Sequence, residues 1–313
     1  MADLTHESVL LTEAIESLEV EADDVILDAT VGGAGHFALL AGKLGEEGTL
    51  IGIDADEEAI QRAGATAEGA SARVILANDN FRNLGSILDK HGIETIDKAL
   101  FDLGWSSFQL ARGRGFSFRV DEPLLMTYGD PNEGVTARDM VNTLEEGALA
   151  DLIYTLGEER FSRGIAKSIA RMREAAPIET TFELVAAIEA GVPAWYAHRR
   201  LHPATKTFQA LRIAVNDEFG ALREGLEAAL AHLSEGGRVA VITFHSIEDR
   251  IVKGMFRDAA HAGRGTVLTK KPLTPSSEEV ARNPRARSAK LRVFERANGH
   301  RSFISSHSFV AYA

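Results

Sequence analysis

Within the first 105 residues, four apolar runs, "VILDAT", "TLIGIDAD", "ARVILAND" and "DKALFDLG", alternate with stretches of helical character. No other feature restricts the fold of this chain as strongly. Strands separated by helices form βαβ units, so the predicted class is α/β with a parallel sheet. The intervening helices are readable as well: "GHFALLAGKLG" is ended by glycine, and "EEAIQRAGATAEG" opens on acids and also ends near glycine. A short helical pattern (Val9, Leu10, Ala14, Leu18) precedes the first strand. After a long helix in "ALREGLEAALAHLSEGG" the sheet resumes with "RVAVITFHS", and "SFISSHSFVAYA" alternates like a last, antiparallel strand.

Between about residues 106 and 210 the strand signal disappears. "NTLEEGALADLIYTLG" opens with a capping box, Thr143 to Glu146, and spaces Leu149, Leu152, Ile153 and Leu156 on one helix face. "EERFSRGIAKSIARMREAAP" does the same with Phe161, Ile165, Ile169 and Met172. "TTFELVAAIEAGVP" carries a further box, Thr180 to Glu183, and stops at Gly191 and Pro193. The expected organisation is a sheet domain built from residues 1–105 and 211–313, with an all-helical insertion at 106–210. Its apolar faces pack either internally or against a second copy of the chain, as in a homodimer.

With 313 residues and 45% hydrophobic content the chain can bury a substantial core without disulfide staples. It has no cysteine, which excludes disulfides and thiolate metal sites and fits a reducing, cytoplasmic setting. The N-terminus lacks a basic flank and no run of about 18 apolar residues occurs, so neither export nor a membrane span is expected. No metal is expected, because the histidines and acids show neither H-E-x-x-H nor EF-hand spacing.

The net charge of −12 argues, taken whole, against a nucleic-acid partner. That excess is confined to residues 1–100, which hold 20 acids and 6 bases; the remainder holds 26 and 28. Two later runs are basic and contain an aromatic. "AHRRLHPATKTFQALR" carries Arg199, Arg200, Lys206 and Arg212, and "NPRARSAKLRVFER" carries Arg285, Arg287, Lys290, Arg292 and Arg296. Such runs are either solvated faces or the phosphate contacts of a polyanion partner.

At the end of the first apolar run, "DATVGGAGH" places glycines where a strand turns into a helix, a geometry that lets backbone N–H groups approach a ligand. Gly33-x-Gly35-x-x-Ala38 fits the dinucleotide fingerprint of Rossmann-like folds, and Asp54 closes the second strand, placed to accept from ribose hydroxyls. A nucleoside-containing cofactor follows, either NAD or S-adenosylmethionine. Asp79 and Phe81 offer an acceptor and an aromatic face for adenine in both. Asp102, in "FDLGWSSFQL", stands at the carboxyl edge of the fourth strand, where ligands of open α/β sheets lie. It is read either as a contact to the cofactor or as the acceptor that holds a substrate amino group.

These stretches together resemble the bacterial 16S ribosomal RNA cytosine-N4 methyltransferases, the RsmH or MraW family. The likeness runs in order through "HESVLLTEAI", "ILDATVGGAGH", "IGIDAD", "DNF", "FDLGWSSFQL", "RGFSF", "GEERFSRGIAKSI", "HPATKTFQALRIAVNDE", "GRVAVITFHSIEDRIVK" and "NPRARSAKLRVFER". It implies a Rossmann-like, S-adenosylmethionine-dependent methyltransferase sheet with an inserted helical domain for substrate recognition. The implied substrate is one cytidine of the decoding centre, near the P site, within the small ribosomal subunit. The implied cofactor contacts are Gly33, Ala34, Gly35, His36, Asp54, Phe81, Asp102 and Gln109.

Three stretches depart from the family pattern. Gly32-Gly33-Ala34-Gly35-His36 stands where the family has Gly-Arg-Gly-Gly-His, Trp105-Ser106-Ser107-Phe108-Gln109 replaces Val-Ser-Ser-Pro-Gln, and Pro123 to Tyr128 replaces a Pro-Leu-Asp-Met-Arg-Met segment. Candidates for catalysis are Asp102 on the target amino group, Trp105 or Phe108 for stacking, and His245, with Phe244 and Ser246, after the fifth strand. His245 is read either as acceptor of the released proton or as a residue that satisfies backbone groups. Candidate RNA contacts are Arg199, Arg200, Lys206, Arg285, Arg287 and Lys290. Two competing readings are an NAD-dependent dehydrogenase and a non-catalytic ribosome-assembly factor that keeps the cofactor fold.

Overall fold

The computed structural model describes residues 7–104, 113–129, 132, 134–197, 199 and 201–298. The four early apolar runs form β1 (Val25–Asp28), β2 (Thr49–Asp54), β3 (Arg73–Asn78) and β4 (Ile96–Asp102), and the later run forms β5 (Leu233–Thr243). With β6 (Gly265–Val267) and β7 (Lys290–Arg296) they make one sheet in the order β3-β2-β1-β4-β5-β7-β6. β1 to β5 are parallel, while β7 runs antiparallel to both β5 and β6. The strand order reverses between β1 and β4, so crossovers leave to opposite sides there and open a crevice at the carboxyl ends of the two strands.

Both faces of the sheet are covered, which is why its strands read as nearly continuous apolar runs. Leu27, Ile51, Phe101, Val239 and Val241 pack on one face against Leu88, Leu226 and Phe256. Their strand neighbours Ile26, Leu50, Leu100, Ala240 and Ile242 point the other way, onto Ala14, Leu18, Phe37 and Leu40. A third core is built mainly from helices: Leu149, Ile153, Ile165, Ile169, Leu184 and Ile188 join Phe116, Leu124 and Met126 from the preceding loop. The Ala204–Asn216 helix contributes Phe208 and Leu211 to this core, and its Ile213 packs with Phe219 and Ile247. One rigid helix thus crosses residue 210 and ties the helical part to the sheet.

The local signals were met unevenly. Thr180 forms a full capping box with Glu183 at the start of the Thr181–Ala190 helix. The box expected from Thr143 to Glu146 does not form: Thr143 is the last residue of the Ala137–Thr143 helix, and its hydroxyl donates to the Asp139 carbonyl at 2.7 Å. The box nearby is Thr136 with Asp139. "SFISSHSFVAYA" lies outside the described residues. β7 instead lies in "KLRVFER", which the sequence shows as a basic run and a family motif rather than as a strand. Among the described residues no helix is long and apolar enough to cross a membrane.

Candidate active site

The site is assembled where β1 hands over to the Gly35–Lys43 helix. The Asp102 N–H donates to Thr30 Oγ1 at 2.6 Å and the Ala29 N–H to the Leu100 carbonyl at 2.9 Å, which pins the chain leaving β1 to the end of β4. Gly32 (φ 51°) and Ala34 (φ 65°) both take the left-handed conformation, with Gly33 between them in the turn. Glycine adopts this conformation freely, whereas alanine does so at about 1–2 kcal/mol. The family glycine at position 34 therefore has a backbone reason, and replacing it is more than a mild change. At Gly35 a Cβ would collide with Ser8 Oγ. The room cleared there is filled by the chain's own N-terminal segment.

Asp54, at the end of β2, braces the same turn. One of its oxygens accepts from the Gly32 N–H at 2.8 Å and the other from the Asp56 N–H at 2.8 Å. A carboxylate offers about four lone-pair sites, so two stay open to a ligand. Burial raises its pKa above the ordinary carboxylate range. Arg62 completes the turn by donating to the Gly32 carbonyl at 3.1 Å.

Asp102 is the centre of the crevice. His36 is only 4% exposed, and its Nδ1 lies 3.5 Å from Asp102 Oδ2. Asp102 Oδ1 has no hydrogen-bond partner among the described residues. Burial, with the negative charges of Asp28 and Glu248 beside it, raises the Asp102 pKa well above the usual carboxylate value. Asp28 is fully buried and is pushed up to about 7 by burial and by Asp54. Its Oδ2 also lacks a partner among the described residues. Unpartnered buried carboxylate oxygens at one strand-end crevice mark a place where ligand donors are expected. Gly104, two residues on at φ 106°, lets the Phe244 ring come within 3.3 Å of where its Cβ would stand.

Residues 3–297 match the model of the MraW methylase family. The chain belongs to that family. It is 46% identical over 312 residues to the ribosomal RNA small subunit methyltransferase H of Citrifermentans bemidjiense, covering 95% of this chain and 100% of that protein. The protein of the same name from Brevibacillus brevis is 43% identical over 307 residues, covering 93% and 98%. Among solved structures, a methyltransferase of Streptococcus mutans in complex with S-adenosylhomocysteine covers 93% of this chain at 12% identity and a TM-score of 0.43. This MraW methylase is an enzyme whose methyl donor is S-adenosylmethionine, and the dehydrogenase reading falls with that membership.

The other expected residues of the methylase are distributed as follows. Asp79 caps the turn after β3, its Oδ1 accepting from the Asn80 N–H at 2.7 Å and from Asn83 Nδ2 at 2.8 Å. Half-buried Phe81 meets Phe101 edge-on at 5.6 Å, and Gly225 is clear of a Cβ that would strike its ring. Gln109, Trp105, Phe108 and Arg200 lie outside the described residues. His245 is the N-cap of the Ser246–His261 helix: its Nδ1 accepts from the Glu248 N–H at 3.4 Å, while Glu248 Oε2 accepts from the Phe244 N–H at 2.8 Å. Nδ1 is thereby committed to the helix cap, while Nε2 lies 3.0 Å from Glu248 Oε1. Burial works against a charge on Glu248, but the His245 hydrogen bond and Arg212 outweigh it, so its carboxyl is held below its ordinary value.

The two basic runs divide between surface and interior. Arg199, Arg285 and Arg287 are exposed. Lys206 Nζ donates to the Glu158 carbonyl at 2.8 Å. Lys290 and Arg292 both hold Asp249, at 3.0 and 2.6 Å, and Arg292 is buried. Arg296 donates to the Leu233 carbonyl. Arg212 is buried against Glu218 in a bidentate pair at 2.7 and 2.8 Å. Arg212 and Arg292 are therefore structural cations, because no phosphate can reach them without breaking a buried pair.

Sequence reasoning missed three residues that shape the site. Ser8 fills the space at Gly35, and nothing in the N-terminal pattern announces it. Glu248 was legible, since "HSIE" has the spacing of a capping box with histidine in place of serine or threonine. Tyr128, in the stretch that departs from the family, donates through its hydroxyl to Glu218 at 3.0 Å and through its N–H to Asn216 Oδ1 at 2.9 Å. Asn216 in turn donates to the Met126 carbonyl at 2.8 Å. The altered loop is thus built into the Arg212–Glu218 pair.

Proposed function

We propose that this methylase transfers the methyl group of S-adenosylmethionine to the N4 atom of one cytidine in the decoding centre of 16S ribosomal RNA, near the P site, and does so in the cytoplasm. The names of its relatives support ribosomal RNA as substrate, and the order of motifs supports the cytidine. The observation that carries the chemistry is the Asp102 carboxyl at the end of β4, with Oδ1 unpartnered among the described residues. Residues 106–210 act as the substrate-recognising part. Arg199, Arg200, Lys206, Arg285, Arg287 and the exposed part of Lys290 serve as phosphate contacts.

The residues present fit the cofactor: the glycine-rich turn brings the start of the Gly35–Lys43 helix to the strand ends that carry the unpartnered oxygens of Asp28 and Asp102. Gly33, Ala34 and Gly35 line its polar part by backbone, His36, Asp54 and Asp102 supply side-chain partners, and Phe81 and Gln109 flank the nucleoside. S-adenosylmethionine supplies an already activated methyl group, so the protein's task is chiefly positioning. A cytidine held out of its stack requires an apolar wall and an acceptor for its amino group. Phe244, packed against Gly104 two residues past Asp102, offers the first, and the Asp102 carboxyl provides the second. By accepting an N–H, Asp102 draws the nitrogen lone pair away from the ring. The same oxygen takes the proton lost on methylation.

Asp102→Ala is expected to lower the single-turnover transfer rate at least about 100-fold, read at cofactor concentrations that saturate the variant so that weaker cofactor binding does not enter the rate. Near-normal transfer by this variant would remove Asp102 from the chemistry.

A further inference from the structure

An exposed aromatic and cationic cluster stands outside the site described so far. Arg160 lays its guanidinium over three rings, 4.8 Å from the Phe161 centroid, 4.9 Å from Trp195 and 5.3 Å from Tyr196. The rings brace one another edge to face, with Phe161 and Tyr196 4.7 Å apart and Trp195 and Tyr196 5.8 Å apart. Arg199 sits over Tyr196 at 5.4 Å. Tyr196 is anchored from below, its hydroxyl donating to buried Glu159 at 2.6 Å.

Three properties of this cluster go beyond what stability alone requires. Trp195 is 58% exposed, although a tryptophan gains most when buried. Arg160 and Arg199 are both exposed and neither has an acidic partner among the described residues. The arrangement is also rigid rather than loosely solvated, because Glu159 holds both Tyr196 and the Phe161 N–H, the latter at 2.9 Å. The exposed Trp195 ring, with Arg160 against it and Arg199 over the adjoining Tyr196, is complementary to an unpaired base and its neighbouring phosphates.

Its position connects it to the reaction centre. Glu158 accepts from Ser246 Oγ and from Arg250, both at 2.8 Å, and Ser246 follows directly on Phe244 and His245. Arg160 is two residues from Glu158, at most about 7 Å of chain. The segment Glu158 to Phe161 therefore joins the rim of the Asp102 crevice to the cluster.

We infer that Trp195, with Arg160 and Arg199, forms a stacking platform that grips an unpaired nucleotide of the RNA flanking the target base. This rests on the reading of the protein as an RNA methylase and adds the surface that holds the strand beside the crevice. The alternative occupant, a second copy of this chain, is tested alongside.

The test uses the full chain and two RNA probes: a fluorescent, unpaired oligocytidylate for binding, and small ribosomal subunits for methyl transfer. Trp195→Ala should weaken oligocytidylate binding roughly 5- to 100-fold, the usual effect of losing one base stack, with S-adenosylhomocysteine binding unchanged as proof of folding. Trp195→Phe should restore most of it, since the ring face is retained. Arg160→Gln and Arg199→Gln should each reduce the slope of log affinity against log salt by about 0.7, whereas Trp195→Ala should leave that slope unaltered. Wild-type affinity in Trp195→Ala would overturn the platform. So would a wild-type dimer in sedimentation that Trp195→Ala dissociates without loss of RNA affinity. Failure of the wild-type chain to methylate subunits would instead count against the enzyme's proposed substrate, and binding to the oligonucleotide would still report on Trp195.

Discussion

Gly35 and Asp28 show how single residues of one turn answer to different forces. Gly35 lacks a side chain because Ser8 occupies the space, so Gly35→Ala should destabilise the protein by about 1–3 kcal/mol through overpacking. Ser8→Gly, made in the same chain, should recover most of that loss. Equal urea midpoints for the single and double variants would show that the two positions are not coupled. Asp28 is governed by charge. Unfolded, it loses its proton in the ordinary carboxylate range, while the folded protein holds that proton up to about 7. Between those values the folded state binds more protons, so stability falls as pH rises through this window and the loss is complete above it. Asp28→Asn removes the loss and still allows a side-chain oxygen to accept from the Thr30 N–H. The variant should exceed the wild type by about 2–4 kcal/mol near pH 8 and by little near pH 4. An equal difference at both pH values in urea denaturation would contradict the assignment.

At the scale of helices and strands, the account rests on which local signals win. Thr180 caps its helix with Glu183, whereas the exposed Thr143 hydroxyl bonds back to Asp139 within the preceding helix. Thr180→Ala should therefore cost about 1 kcal/mol and Thr143→Ala nearly nothing in thermal or urea unfolding; the reverse order would refute the assignment of the caps. The Thr143 signal misled because two helices adjoin there, and a threonine with an acid three residues on fits the end of one as well as the start of the next. β7 was illegible for a different reason. Its alternation of Arg292 and Glu295 with Leu291, Val293 and Phe294 reads as a basic surface run until Asp249, on a distant helix, is seen to neutralise the arginine. Of the first five strands, β1, β2, β4 and β5 were legible because both their faces are buried, while edge strand β3, with only Ile75 buried, still keeps the apolar run Val74 to Ala77.

For the whole molecule, the order of strands places Asp28, Asp54 and Asp102 at the carboxyl edge of one sheet, and that much of the candidate site could be read from the chain. The insertion was legible as helices, but its coupling to the sheet was not. The Ala204–Asn216 helix serves both cores, and the buried Arg212–Glu218 pair receives Tyr128 from a loop that departs from the family pattern. Sequence alone shows the departure as a lost acid and base; the structure shows Tyr128 holding the loop in their absence. A loop so anchored fits a working enzyme rather than a retired cofactor fold. The decisive measurement is transfer of labelled methyl from S-adenosylmethionine to small ribosomal subunits taken from cells lacking this gene, followed by nuclease mapping of the product. Label confined to one cytidine of the decoding centre, recovered as N4-methylcytidine, is the predicted result. Label on another base or another atom, or no transfer by a chain that still binds S-adenosylhomocysteine, would contradict it.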